Sequence, residues 1–485
     1  MSGLELLGTT RRALFIDGEW REAASGDRFD VLDPADGSVL TDVADASADD
    51  ALDALDAAAT AQPAWAATPA RDRAEVLRRA FELVTERAED FGHLMSLEMG
   101  KTVAEGKGEV AYGAEFLRWF AEEAVRVHGR WMANPAGGSR MLTLKKPVGP
   151  CFFVTPWNFP LAMGTRKIGP AVAAGCTMIV KPASQTPLTM LALAGVFEEA
   201  GLPPGVLNVV TTTSSSAVGA AVMADDRLRK VSFTGSTAVG KTLVKQSAEQ
   251  LQRVSMELGG NAPFLVFEDA DVEAAVDGAM IAKMRNMGEA CTSANRFLVH
   301  ETVAEEFGKL LGERMSALTV GRGQDEGVDV GPLIDADAVE SVNELVTDAI
   351  HDGATLVCGG KVPDGPGHFY PPTVLVGVPA EAQINNVEIF GPVAPVTTFR
   401  DETEAIERAN ATEYGLVSYA YTRDLARTIR LAERLDFGML GVNTGLVSNP
   451  AAPFGGVKAS GFGREGGFEG IEEYLDTTYV ALPVD

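Results

Sequence analysis

The sequence predicts an α/β protein with two Rossmann-like parallel-sheet domains and a small β extension. Three observations carry this. From residue 150, short apolar runs alternate with helical stretches, the signature of parallel strands crossed over by helices. After Met256 that texture resets and repeats to about Val442, which implies a second unit. The segment 126–146 interrupts the first unit, and the tail Tyr474 to Val484 is strand-like with no partner close in sequence. Those two stretches are expected to pair with each other as an extension used for association. A chain of 485 residues is also too long for one simple core. The expected boundaries are 1–125 with 147–257 for the first domain, 258–465 for the second, and 126–146 with 466–485 for the extension.

Taken in order, Phe15 to Ala23 reads as a hairpin turning at Asp17-Gly18. Asp49 to Ala61 is Ala-rich and helical. A second helix is expected at Thr68-Pro69, with Thr68 as cap and Pro69 at the first helical position. Leu77, Ala80, Phe81 and Val84 share its apolar face, and Val110 to Val125 repeats the pattern with Phe116, Leu117, Phe120 and Val125. These helices read as packing elements. Strands follow at Cys151–Thr155, Thr177–Val180, Val206–Val210 and Lys230–Phe233, separated by helices over Leu161–Gly175, Pro187–Ala200 and Ser215–Met223. Asp271 to Met287 reads as one helix leading into a Cys291 loop. Strands and helices then alternate through Phe297–Val299, Thr302–Leu318, Ala354–Cys358, Val393–Phe399, Glu402–Ala409 and Val417–Tyr421.

Composition narrows the function. Hydrophobic residues make up 46% and charged residues 22%, values of a folded soluble protein. No apolar run reaches the roughly 18 residues of a membrane span. Met1 to Trp20 lacks the basic-then-apolar pattern of a secretion signal, so a cytoplasmic location is expected. The net charge of −27 disfavours nucleic acid and anionic membranes as partners. The four cysteines lie far apart, with neither zinc spacing nor a disulfide framework, and no metal is expected.

The stretch R-N-M-G-E-A-C-T-S-A-N-R, Arg285 to Arg296, places Cys291 among small and polar residues, a poor setting for core filler. A cysteine of this kind becomes a catalytic candidate when partners exist to activate it. Four stretches offer such partners. Lys230 to Gly240 is a strand, a glycine turn and a helix start, where backbone N–H groups can hold a pyrophosphate. Its Gly-x4-Gly spacing reads equally well as an ordinary strand–helix turn. Lys181-Pro182-Ala183-Ser184 follows a buried strand and could hold a ribose or a 2′-phosphate. Asn158, between Pro156 and Pro160, is a rigid carboxamide able to donate to an oxyanion. Glu257 sits between an apolar strand and a Gly-Gly turn, where desolvation would raise its pKa and suit it to act as a base.

With these assembled, the chain resembles the NAD(P)-dependent aldehyde dehydrogenase superfamily from about Phe15 to the C-terminus. The likeness rests on P-W-N-F-P, K-P-A-S, F-T-G-S-T, M-E-L-G-G, G-E-A-C, E-I-F-G-P (388–392) and P-F-G-G (453–456), in that order. The resemblance implies an aldehyde dehydrogenase-like fold and a role for each matched position. Cys291 is the nucleophile. Asn158 and the Cys291 N–H form the oxyanion hole. Glu257 is the general base for deacylation, and Lys167 and Glu465 relay its protons. Lys181 binds the adenosine ribose, Gly235 and Ser236 flank the pyrophosphate, and Glu388 and Phe390 hold the nicotinamide ribose and ring. Thr155, Trp157 and Leu258 also belong to the cofactor site. The implied reaction forms a thiohemiacetal on the thiol, passes hydride to the nicotinamide and hydrolyses the resulting thioester.

Two departures from the family pattern matter. Ser184 stands where many members have a Glu that would repel a 2′-phosphate, so NADP is expected to be accepted alongside NAD. Glu289 stands where Gln is commoner, with little effect expected. Within the family, the closest likeness is to the branch that oxidises succinate semialdehyde. Arg166, Arg285 and Ser448 match its carboxylate-binding positions, so the expected substrate is a small aldehyde with a terminal carboxylate. Glutarate semialdehyde and other ω-carboxy or aliphatic aldehydes remain the alternatives, since one methylene discriminates by only about 1–3 kcal/mol. Some members of that branch carry a second cysteine as a redox switch; Ser293 occupies the position here. The family forms homodimers or homotetramers, and the resemblance implies one of these.

Overall fold

A computed structural model describes residues 7–484. The first six residues, part of the stretch read for a secretion signal, lie outside it. Two large sheets dominate. The first has eight strands in the spatial order Gly461–Phe462, Arg253–Glu257, Lys230–Thr234, Cys151–Val154, Met178–Lys181, Leu207–Val209, Leu14–Ile16 and Glu19–Arg21. The run from Arg253–Glu257 to Leu207–Val209 is parallel, and both flanks are antiparallel. The second sheet has seven strands, ordered Thr355–Cys358, Thr373–Val376, Val393–Phe399, Ala294–His300, Ala262–Val266, Val417–Tyr421 and Met439–Val442. All of these are parallel except Thr355–Cys358.

Burial on both faces explains why the central strands are apolar. Cys151, Phe153, Met178 and Val180 pack on one face with Ile168, Val172, Phe116 and Phe120. Phe152, Ile179, Val231 and Phe233 pack on the other with Ala51, Leu55 and Leu243. The hairpin turns at Asp17 and Gly18, both left-handed (φ 54° and 76°), and adds the antiparallel edge. The tail Leu475–Pro483 pairs antiparallel with Ser139–Pro147, and Trp131–Ala133 completes a three-stranded sheet. The segment 126–146 and the tail therefore meet, as the sequence suggests.

Several expectations need correction. Thr68 caps no helix start; it closes the helix Ala48–Ala67, its hydroxyl donating to the Ala64 carbonyl, and Pro69 is the N-cap of Ala70–Glu86. Val125 lies past the end of the helix Val103–Glu123 and is exposed. The helix Val272–Met284 ends three residues before Met287, because Asn286 and Met287 both adopt left-handed backbone (φ 55° and 54°). Helices at Ala88–Met99, Ala336–His351 and Leu425–Arg434 add to those the sequence predicts.

Candidate active site

The site forms where the carboxyl ends of the first sheet's strands meet the amino ends of the second's. A pocket of about 240 Å³ there is lined by Trp157, Asn158, Gly235, Ser236, Glu257, Leu258, Cys291, Glu388 and Phe390, among others. Thr155 and Lys181 sit at the ends of neighbouring first-sheet strands.

The Cys291 loop is shaped from below. After Met284 the chain turns through three left-handed residues, Asn286, Met287 and Gly288. The Asn286 N–H donates to Glu105 (2.6 Å), and its carboxamide donates to the carbonyls of Asn158 (3.2 Å) and Glu289 (3.0 Å). The loop is thereby tied to the Asn158 turn. The Asn158 carboxamide itself donates to the Glu289 carbonyl at 2.9 Å, and its Oδ1 is buried without a partner. Lys101 donates to the Asn158 carbonyl (2.8 Å) and forms a buried ion pair with Glu109 (2.6 Å). Glycine is required at 260, where a Cβ would stand 2.3 Å from the Cys291 carbonyl oxygen.

Electrostatics divide the carboxyls. Burial and the neighbouring Glu465 push Glu257 well above the ordinary range, and its Oε2 has no partner. Glu465 lies below its usual value: Lys167 (2.5 Å) and Arg166 (2.8 Å) hold it ionised despite burial. Burial pushes the Cys291 thiol up to about 12, with Arg166 opposing the shift. Burial also raises Glu388 to about 7, against its hydrogen bond from the Gly260 N–H (2.9 Å).

The residues fit a dinucleotide. Thr155 Oγ1 and Thr234 Oγ1 are buried without hydrogen-bond partners. Lys181 donates to Ser215 (2.8 Å), and burial lowers its pKa to about 8, leaving a cation short of counter-charge. Ser236 caps the helix Thr237–Ser247, Ser184 is half-buried beside Gln185, and Phe390, itself left-handed (φ 51°), stands edge-on to Trp157 at 5.4 Å.

Beyond the Asn158–Phe159 turn lies a second pocket of about 550 Å³, lined by Tyr112, Phe159, Met284, Arg285, Leu446 and Ser448, among others. Arg285 caps the end of the Val272–Met284 helix, close to the rings of Phe159 (4.9 Å) and Tyr112 (5.4 Å). Among the described residues, no carboxylate lies within ion-pair distance of it. Arg166 is not on this lining: it is buried against Glu465 and over the Phe454 ring (4.0 Å), with Nη2 left without a partner. Sequence reasoning missed Glu98, Lys101, Glu105 and Glu109. The three glutamates lie in helices and Lys101 in the turn between two of them, where polar residues read as surface, and burial alone reveals them.

The aldehyde dehydrogenase family model matches residues 20–480. The succinate-semialdehyde dehydrogenase of Paenarthrobacter nicotinovorans is 60% identical, covering 92% of this chain and 99% of that protein. The glutarate-semialdehyde dehydrogenase of Pseudomonas aeruginosa is 49% identical, covering 97% and 98%. A crystal structure of an E. coli NADP-dependent enzyme superposes with a TM-score of 0.97 at 49% identity, covering 98% of each chain. Fold, motifs and near-complete matches agree: this chain belongs to the aldehyde dehydrogenase family.

Proposed function

We propose that the chain oxidises succinate semialdehyde to succinate with NADP or NAD, through a covalent thioester on Cys291. The observation that carries the substrate is Arg285. It is a guanidinium without an acidic partner on a pocket shared with Ser448, in a chain of net charge −27. An anion needs local cations here, because the global field opposes it. Arg166, buried in its ion pair with Glu465 and off this lining, leaves Arg285 and Ser448 as the donors that face the pocket. The second reading is glutarate semialdehyde, favoured by the Pseudomonas relative.

Each residue then has a task. Cys291 attacks the aldehyde carbon, and Asn158 with the Cys291 N–H stabilises the oxyanion. A dinucleotide bound between Lys181, Ser236, Glu388 and Phe390 supplies the hydride acceptor. Glu257, ionised, takes a proton from the water that hydrolyses the thioester. Lys167 and Glu465 carry that proton onward. Ser184 places no negative charge beside the ribose, which supports use of NADP. The first-sheet unit is the cofactor domain, the second carries the nucleophile, and the three-stranded sheet joins copies into a dimer or tetramer in the cytoplasm.

The test is steady-state reduction of NAD and NADP with succinate semialdehyde, glutarate semialdehyde and butyraldehyde, for wild type and Arg285→Ala. Succinate semialdehyde should lead in kcat/KM, and the variant should lose that lead over butyraldehyde. Equal use of butyraldehyde by wild type would sink the anion-pocket reading.

A further inference from the structure

We infer that Lys283 is a positioning residue: it ties the turn Glu388–Pro392 to the nucleophile loop and supplies the counter-charge for Glu388. This rests on the proposed reading in which that turn holds the nicotinamide ribose and ring, and adds the group that sets its place. The observation is a cation that the fold does not need. The helix Val272–Met284 buries Ala275, Val276, Ala279 and Ala282 in an apolar cluster. Lys283 continues that side of the helix and is itself fully buried. Its Nζ donates to the Gly391 carbonyl (3.0 Å), and among the described residues no carboxylate lies within ion-pair distance of it. An ammonium has three protons to donate. Burying one with a single carbonyl for partner costs stability, and an apolar side chain of similar length would serve the core as well or better.

The carbonyl that Lys283 holds is a junction. Gly391 follows Phe390, whose backbone is left-handed (φ 51°), and its carbonyl also accepts from the Val393 N–H (2.9 Å). Gly288 of the nucleophile loop packs on the same atom: a Cβ there would stand 2.2 Å from the Gly391 oxygen. The helix, the Cys291 loop and the Glu388–Pro392 turn therefore meet at one carbonyl. Charge acts alongside. Glu388 is fastened by the Gly260 N–H (2.9 Å). Burial pulls Lys283 down to about 7 and pushes Glu388 up to about 7, and each opposes the other's shift. Tyr414 and the Cys291 thiol also face Glu388; burial first, and Glu388 after it, raises both, so they stay neutral here. Lys283 is the cation that favours an ionised Glu388, able to accept from ribose hydroxyls.

Two effects follow for a cofactor bound at this turn. Without the ammonium, the Gly391 carbonyl loses its anchor and the left-handed Phe390 backbone is free to relax away from the Cys291 loop. Alignment there matters, because a misplacement of about 1 Å costs on the order of a hundredfold in rate. Without the positive charge, Glu388 takes up its proton at a higher pH. Affinity for the nicotinamide half then begins to fall earlier as pH is lowered. The adenosine end, assigned to Lys181 and Ser236, touches neither Gly391 nor Glu388 and should be unaffected.

The test is calorimetric titration of the full-length enzyme, wild type and Lys283→Met, with NADP and with adenosine 2′,5′-bisphosphate, which lacks the nicotinamide half. NADP should bind the variant about tenfold more weakly, the low side of a hydrogen bond from a charged donor. The bisphosphate should bind both proteins alike, and Tm should be unchanged or higher, since an apolar side chain suits the site. Measured between about pH 6 and 9 as the ratio of the two affinities, so that phosphate titration cancels, the acid-side loss should move up by about one pH unit in the variant. Wild-type NADP affinity, an unshifted pH profile, or an equal loss for both ligands would each overturn the inference, the last by making Lys283 a general scaffold residue. Should Lys283→Met fail to fold, Lys283→Gln, neutral but still a donor, decides by the same pH shift. Glu388→Gln tests the underlying reading separately: it should weaken NADP and flatten the ratio across that range. A wild-type profile there would refute the placing of the ribose on this turn rather than the role of Lys283 within it.

Discussion

Glu289→Gln should stabilise the protein increasingly as pH rises. Glu289 is fully buried. Its Oε1 accepts from the Ile334 N–H at 3.1 Å, and its Oε2 has no partner. Burial raises its pKa well above 4.5, with only the Ile334 hydrogen bond and Lys101 in opposition ahead of Asp335 and Glu105, which raise it further. The sign follows. A carboxyl with a raised native pKa contributes stability that is full below its unfolded value and is lost as pH climbs through the native one. In that window the folded state holds one proton more than the unfolded chain, so stability falls by about 1.4 kcal/mol per pH unit. Gln keeps the Ile334 contact and binds no proton. Above the unfolded pKa the variant's advantage should therefore grow by up to about 1.4 kcal/mol per pH unit until the native pKa is passed. For 485 residues the unfolding entropy is near 1 kcal/mol/K, which converts this to roughly 1–1.5 °C in Tm per pH unit. The assay is thermal unfolding of both proteins across that pH range at one protein concentration. A Tm difference that stays constant with pH would refute the reasoning, because it would mean that Glu289 is ionised in the fold. Activity should stay within about twofold, since a neutral acid is replaced by a neutral amide.

Other outcomes follow from the same geometry. Ser184→Glu should lower kcat/KM for NADP by at least tenfold while sparing NAD, read from steady-state cofactor titrations, because it places a carboxylate where a 2′-phosphate would sit. Lys101→Met should cost about 3–5 kcal/mol in thermal or denaturant unfolding, since it strands the buried Glu109 carboxylate. It should also depress kcat by loosening the Asn158 carbonyl. Turnover should fall as pH drops through the raised pKa of Glu257, well above 4.5, because the base acts only when ionised. A pH–rate profile that stays flat down to pH 5 would contradict this.

Much of the architecture was legible because local rules and burial agree. The Asp17-Gly18 hairpin and the first-sheet strands follow from turn chemistry and alternation, and the pairing of the tail with a strand of the 126–146 segment from both being left without a partner in the two main units. The failures have physical causes. Asn286 and Gly288 tolerate left-handed backbone and so signal a helix end that the helix predicted over 271–287 runs past, whereas Met287 carries no such signal and its left-handed backbone shows only in the fold.

The helix termini show how the site sorts negative charge. Four helices start at the carboxyl ends of first-sheet strands: Ala162–Ala174, Pro187–Glu199, Ser215–Ala224 and Thr237–Ser247. Their N-terminal dipoles all favour anions. Two are already filled by the protein. Glu109 accepts from the Leu161 and Ala162 N–H groups (2.9 and 3.0 Å), and Glu98 from those of Leu188 and Thr189 (2.7 and 2.9 Å). The other two have no acidic residue in their first turn, and the Ser236 cap is long at 3.4 Å. Those open termini flank Lys181 and Gly235, where a dinucleotide's phosphates would lie. The filled terminus of Ala162–Ala174 adjoins Asn158. Under the proposed function, a substrate there would find its helix dipole already spent on Glu109, so its oxyanion would rely on Asn158 and the Cys291 N–H. Its distant carboxylate would likewise rely on side-chain cations such as Arg285. On that reading, the buried glutamates that look like scaffold would direct phosphate to one end of the cleft and leave the other to the reacting aldehyde.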